Sequence, residues 1–202
     1  MKKKFRILAA GDIHGDSSLT KKLAQKAERE NVDLVILTGD ITGIVETENL
    51  LKPFIEKNKK VILVPGNWDS SETIDFLTKL YGIKNIGDHY VTYGNIGIFG
   101  IGSPDWQLSL DEKKTFEKLK KEFEKIKKKN LEKIILVSHI HPAGSKAEFS
   151  GFPGSKAIRK AIETFKPDIF LSGHIHEAEG IFERIGKTKV YNIGRKGKII
   201  EL

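Results

Sequence analysis

The chain has 202 residues, 39 % of them apolar with glycine left out and 31 % charged. That length and balance fit one globular domain over residues 1–202 and exclude a fibrous or disordered chain. It has no cysteine, which removes disulfide frameworks, cysteine nucleophiles and thiolate-held zinc or iron–sulfur centres. The net charge of +8 raises nucleic acid and anionic surfaces as partners, so where the charge sits matters.

Phe5–Ala10 is a short apolar run ending in Gly11-Asp12, the pattern of a buried strand feeding a loop. From Ser18 to Glu30, Leu19, Leu23 and Ala27 recur four apart and predict a helix. Asp16 and Ser17 are candidates to cap it. Val32–Thr38 reads as a second buried strand, ending in Gly39-Asp40. A helix is expected over Glu46–Asn58, with Pro53 against it. Lys60–Val64 is a third strand, ending in Pro65-Gly66-Asn67. Ser70–Tyr81 is a helix with Ile74, Leu77 and Tyr81 on one face. This strand–helix alternation is that of parallel βαβ units.

The middle of the chain differs. His89–Tyr93 and Ile96–Ile101 flank Gly94-Asn95, a two-residue hairpin signal. Residues 111–130 hold nine lysines against five acids, half of the charge excess. Phe116, Leu119, Phe123 and Ile126 form one apolar stripe there, so the lysines are expected on the solvated face of an amphipathic helix. Ser109 and Glu112 read as its capping box. Five arginines in the whole chain also argue against a phosphate-gripping nucleic-acid surface.

Lys133–Val137 and Ile169–Leu171 are two further strands, with a helix over Ser155–Phe165 between them and Pro167 as its stop. The tail, Gly180–Leu202, reads as short strands around Gly186-Lys187 and Lys196-Gly197. Hairpins in the middle and tail imply mixed sheets, and two sheets face to face with helices outside accommodate the whole pattern. No apolar run reaches the ~20 residues that span a bilayer, and the apolar stretch after Lys2-Lys3-Lys4 is too short for a cleavable signal. A cytoplasmic protein with no membrane partner is expected. Scarce Met and Gln beside abundant Lys, Glu and Ile lean toward a thermophile's composition.

Five predicted strands end in polar clusters: Asp12-Ile13-His14, Gly39-Asp40, Gly66-Asn67-Trp68-Asp69, Ser138-His139-Ile140-His141 and Gly173-His174-Ile175-His176. In α/β sheets, sites form beyond the carboxyl ends of strands. Five of the six histidines lie in these clusters, a concentration that packing needs would not produce. Imidazole, carboxylate and one amide without thiolate suit Mn, Fe, Zn or Ni. In an extended chain, residues at i and i+2 point to the same side. The donors exceed the four of a tetrahedral site and suffice for two metals sharing a carboxylate, the arrangement for in-line displacement at phosphorus.

The ordered set Asp-x-His, Gly-Asp, Gly-Asn-x-Asp, strand-terminal His and Gly-His-x-His resembles the calcineurin-like metallophosphoesterases, and among them the small prokaryotic phosphodiesterase-type members. The resemblance runs over residues 11–176, and Tyr191-Asn192-Ile193-Gly194 resembles the family's closing strand. It implies an α/β fold, a four-layer α/β/β/α sandwich of two mixed β-sheets flanked by helices. It implies Asp12, His14 and His176 at one metal, Asn67, His139 and His174 at a second, and Asp40 bridging them. The implied cofactors are two divalent ions, manganese first, with iron, nickel or zinc as alternatives. The implied chemistry is in-line attack on phosphorus by a hydroxide shared between the metals, with Asn67 also orienting a phosphoryl oxygen.

The chain departs from the family at one telling place. Many members read Gly-Asn-His-Asp or Gly-Asn-His-Glu, with a His that assists the leaving group. Here Trp68 stands instead, and an indole cannot shuttle a proton. Such help is worth about 10²–10⁴-fold, which favours diesters with good leaving groups over monoesters. His141, in the place of a family proline, is the candidate replacement acid. Trp68 either packs against its loop or presents a flat face to a base. Asp69 is expected to steady Asn67 or a ligand histidine. The expected partner is a small phosphate ester, nucleotide-like among the options, with nucleic acid less favoured and the oligomeric state open. The alternatives are a scaffold that keeps the fold with little activity, and a phosphomonoesterase or protein phosphatase.

Overall fold

The computed structural model describes residues 4–43 and 49–202. The first half builds β1 (Arg6–Ala10), α1 (Ser17–Arg29), β2 (Leu34–Leu37), α2 (Lys52–Glu56), β3 (Lys60–Leu63), α3 (Ser71–Tyr81) and β4 (Lys84–Asn85). β1 to β4 lie side by side and parallel, as the βαβ alternation requires. The second half builds β5 (Tyr90–Tyr93), β6 (Ile96–Ile101), α4 (Glu112–Lys127), β7 (Lys133–Ser138), α5 (Lys156–Phe165), β8 (Ile169–Ser172), β9 (Phe182–Ile185), β10 (Thr188–Asn192) and β11 (Lys198–Glu201). One sheet has the order β11-β1-β2-β3-β4 and the other β5-β6-β7-β8-β10-β9. Both are mixed, because β11 runs antiparallel to β1 and the hairpins β5–β6 and β9–β10 close the second sheet.

The alternation of side chains along each strand creates the layers. In β1, Leu8 and Ala10 face α1, α2 and α3, packing with Leu23, Phe54 and Ile74. Ile7 and Ala9 face the other way, meeting Ile98, Ile135, Val137 and Leu171 of the second sheet. That sheet turns Phe99, Leu136 and Phe170 outward against Leu119, Ile126, Ile158 and Ile162 of α4 and α5. The result is the helix–sheet–sheet–helix sandwich. Strands covered on both faces are apolar throughout, which is why they read as unbroken runs rather than alternations.

Several local expectations change. The helix expected over Glu46–Asn58 shrinks to α2, with Pro53 in its first turn, where a missing N–H costs nothing; residues 46–48 lie outside the described residues. Ser109 and Glu112 do not form a capping box. Asp111 caps α4 by accepting from Lys114 N, and Glu112 reaches across to Ser155 Oγ and the amides of Lys156 and Ala157, anchoring the start of α5. Strands do flank Lys196-Gly197, and they belong to different sheets: after β10 the chain leaves the second sheet and crosses to the first as β11. β4, two residues long, is too short for a periodic signal. The nine lysines of 111–130 are all exposed, as the amphipathic reading expects. No helix among the described residues is long and apolar enough to cross a membrane.

Candidate metal centre

The five polar clusters meet at the carboxyl ends of β1, β2, β3, β7 and β8. The first three come from one sheet and the last two from the other, so the centre sits on the seam between sheets. Backbone bonds hold the loops in step: Asp12 N to Gly39 O (3.0 Å), His14 N to Asp40 O (2.9 Å) and Gly173 N to His139 O (3.0 Å). Within these loops Asp12, His14, Asp40 and His174 all take left-handed backbone conformations, φ 53°, 49°, 50° and 73°. Such conformations are uncommon for non-glycine residues and persist only where surrounding contacts impose them. Gly66 shows how tight the packing is, since a Cβ there would overlap the backbone N and the carboxylate of Asp40.

The first group comprises Asp12, His14 and His176, whose donor atoms all lie within 4.8 Å of one another. His14 Nε2 and His176 Nε2 are 3.2 Å apart. Asp12, Asp40 and His139 form the second such group, entirely buried. Asp40 Oδ1 accepts from Trp68 N (2.9 Å), which leaves Oδ2 turned to the histidines. Oδ2 lies 3.7 Å from His14 Nε2 and 3.3 Å from His139 Nε2, between the residues expected at the two metals. Asn67 Oδ1 lies 3.0 Å from His139 Nε2, and His174 Nδ1 lies 3.2 Å from that same nitrogen. All seven residues expected as ligands are therefore brought together.

The donor set fits divalent cations for a reason internal to it. His139 Nδ1 points at the Thr38 carbonyl at 2.9 Å, so its N–H belongs there. Nε2 then turns a lone pair toward Asp40 Oδ2, Asn67 Oδ1 and His174, an assembly of acceptors that calls for a cation or a proton. Asp12 Oδ2 is buried and has no hydrogen-bond partner among the described residues, a further group awaiting a positive charge. Without metal, protons fill the need. Burial opposes charge on His139, but the hydrogen bond and field of Asp40, aided by Asp12, push its pKa up to about 9. Burial pushes the Asp12 carboxyl up to about 6, against the pull of His139 and His176. Burial, together with the charge on His139, lowers His174 to about 4.

Around the ligands, Asp69 acts differently from expectation. Its carboxylate accepts from Ile41 N, Thr42 N, Thr42 Oγ1 and Gly66 N. It thereby ties the loop after β2 to the loop after β3, its hydrogen-bond partners among the described residues being main-chain amides and the Thr42 hydroxyl. Asp16 caps α1 through Leu19 N and also receives Arg195 Nη2 at 2.7 Å. Arg195 escaped the sequence reading. Its Nη1 donates to the carbonyls of Asp12 (3.1 Å) and Ile13 (3.3 Å), gripping the loop from beneath. Its only signal was its place one residue beyond Tyr191-Asn192-Ile193-Gly194. In that segment Asn192 Nδ2 bonds Gly173 O (3.1 Å).

His141 lies beside the centre but is buried, with its ring nearly parallel to His174 at 6.3 Å. Its Nε2 meets the Phe152 carbonyl at 3.2 Å. Trp68 is 38 % exposed and stands perpendicular to the His14 ring at 5.7 Å. A cleft of about 370 Å³, lined by Lys133, Lys187, Lys189 and Lys198, opens at the opposite, amino ends of β7 and β8 and contains none of these residues.

Comparison with known proteins agrees with the geometry. TT1561 of Thermus thermophilus superposes with a TM-score of 0.76 at 18 % identity, covering 98 % of this chain and 99 % of its own. A dimetal phosphatase from Danio rerio superposes with 0.64 at 14 % identity, covering 95 % and 88 %. A novel archaeal phosphodiesterase superposes with 0.55 at 17 % identity, covering 98 % and 100 %. At these identities the likeness is one of fold. A search of curated proteins found no match. The model of the calcineurin-like phosphoesterase family matches residues 5–178, a span that holds all seven donors. The chain belongs to the calcineurin-like phosphoesterase family, hydrolases of phosphate esters.

Proposed function

We propose that this chain is a phosphodiesterase dependent on two divalent metal ions, with manganese the first candidate. The observation that supports the metal dependence is the buried convergence of acceptors on His139 Nε2, with the buried Asp12 Oδ2 beside it, a donor set that takes up positive charge and suits divalent cations. Asp12, His14 and His176 would hold one ion, Asn67, His139 and His174 the other, and Asp40 would serve both. Bound there, divalent ions supply Lewis acidity toward phosphoryl oxygens and acidify water toward neutrality.

The chain's own residues do the rest. Thr38 O and the Phe152 carbonyl set the ring orientations of His139 and His141. With Oδ1 directed at His139, the Asn67 amide keeps its NH₂ to donate to a phosphoryl oxygen. Trp68 occupies the rim where a proton donor would assist a poor leaving group, and it cannot donate one to chemistry. Diesters with acidic leaving groups are the substrates such a site serves best. A scaffold reading finds no support in the site, since every ligand position carries a competent donor.

The test is to strip the protein with chelator, restore Mn²⁺, and compare bis(p-nitrophenyl) phosphate with p-nitrophenyl phosphate. Metal-restored turnover of the diester, above that of the monoester, is expected. Monoester turnover exceeding the diester would overturn the diester preference. No turnover with Mn²⁺, Ni²⁺, Fe²⁺ or Zn²⁺ would overturn the catalytic reading.

A further inference from the structure

The loop carrying Asn67, Trp68 and Asp69 is doubled by the loop after β6, and together they expose two indoles beside the first ligand group. Ser103 N donates to Pro65 O (3.0 Å), Asp105 N to Asp69 O (2.9 Å) and Trp106 N to Asn67 O (2.9 Å). The Asp105 carboxylate receives Ser71 N and Ser71 Oγ at 2.9 and 2.6 Å. These contacts hold two consecutive residues, Asp105 and Trp106, at φ 61° and 62°. A bulky side chain rarely adopts that conformation, and it persists only where surroundings over-determine it. Core packing is not what it serves, because Trp106 is left 64 % exposed. Its ring sits 4.8 Å from that of Trp68, tilted by 57°, and Trp68 in turn stands against His14.

An uncommon backbone that presents an indole to solvent at the edge of a metal centre is built to meet something. Indole faces attract planar π-systems through stacking, with little regard to which base or ring is offered. An aliphatic alcohol or a bare sugar has no such face. We infer that Trp68 and Trp106 form a platform for the non-phosphate part of the substrate, and that this part is a planar aromatic group of the nucleobase kind. The inference rests on the phosphoesterase reading of the adjacent centre. On the opposite flank Phe152 stands exposed, 6.2 Å from the His174 ring, where the second arm of a diester would find another aromatic surface.

The chain has two tryptophans, and both are in the platform, so intrinsic tryptophan fluorescence reports on it alone. The experiment titrates Mn²⁺-loaded protein with adenosine 5′-monophosphate and, separately, with ribose 5-phosphate, which lacks the base. Saturable quenching by the nucleotide and none by the sugar phosphate is expected. Trp106→Ala should weaken nucleotide binding about five- to hundredfold, the range of base–aromatic stacking, leaving sugar phosphate binding by calorimetry unchanged. Trp106→Phe should retain most of the affinity. Equal affinity for the two ligands, or no effect of Trp106→Ala in a variant with an unaltered melting curve, would overturn the platform. Base-dependent quenching without turnover of bis(p-nitrophenyl) phosphate would sustain the platform and count against the catalytic reading. Turnover without base preference would overturn the platform alone.

Discussion

His139 Nε2 lies 3.3 Å from Asp40 Oδ2 while the other ring nitrogen faces the carbonyl of Thr38. One side chain from the second sheet is thus fastened to two groups from the first. In the metal-free protein this pair holds a proton, since the His139 pKa stands near 9 instead of the ordinary 6.5. A raised folded pKa contributes stability that is complete below the unfolded value and is lost as pH climbs through the folded one. The melting temperature of chelator-treated protein should therefore fall between about pH 6.5 and 9 through this pair. Metal uptake near pH 7 must expel that proton. Calorimetry in buffers of differing ionisation enthalpy should detect the release, and affinity should rise toward about pH 9.

Asp40→Asn should remove turnover and metal together. The substitution withdraws the carboxylate placed between both groups, and charge stabilisation by such metals is worth several kcal/mol. A loss of at least about 10³-fold is expected at about 1.4 kcal/mol per decade. Elemental analysis of dialysed protein should show less metal than wild type.

Gly66→Ala should damage activity more than stability. A Cβ there would overlap the backbone N and Oδ1 of Asp40, forcing the ligand loop aside. Overpacking of this kind costs about 1–3 kcal/mol, whereas a displacement of about 1 Å near the chemistry costs about 10²-fold in rate. Thermal melts and turnover measured on the same preparation will separate the two.

Arg195→Met removes the donors to Asp12 O, Ile13 O and Asp16 Oδ2 without touching a ligand atom. Losing such support around ligands typically costs about 10–100-fold in metal affinity or activity. A metal titration should show the weakening, and Arg195→Lys should restore part of it if charge toward Asp16 is the main element.

His141 is buried, with Nε2 on the Phe152 carbonyl and its ring along that of His174. From that placement we expect a positioning role in place of the proton donation that the sequence suggested. His141→Ala should lower turnover of good and poor leaving-group diesters by similar factors, with an unchanged slope of rate against leaving-group pKa. A loss confined to poor leaving groups would instead assign it the role of proton donor.

The strands of this protein were legible because burial on both faces leaves apolar runs, and the loops because each run ends in Gly, Asp, Asn or His at short spacing. The polar clusters at the strand ends could be read from those local patterns, and the resemblance to the calcineurin-like phosphoesterases picked Asp12, His14, Asp40, Asn67, His139, His174 and His176 out of them as the expected ligands. Other relationships depend on residues distant in sequence and carry no periodic mark. Arg195 reaches the Asp12 loop from the far end of the chain, Asp69 joins two loops through backbone amides of any residue type, and Glu112 caps a helix other than its own. The pairing of Trp68 with Trp106 is of the same kind. It arises only when the loops after β3 and β6, which belong to different sheets, are zipped together by hydrogen bonds from main-chain atoms that every residue shares.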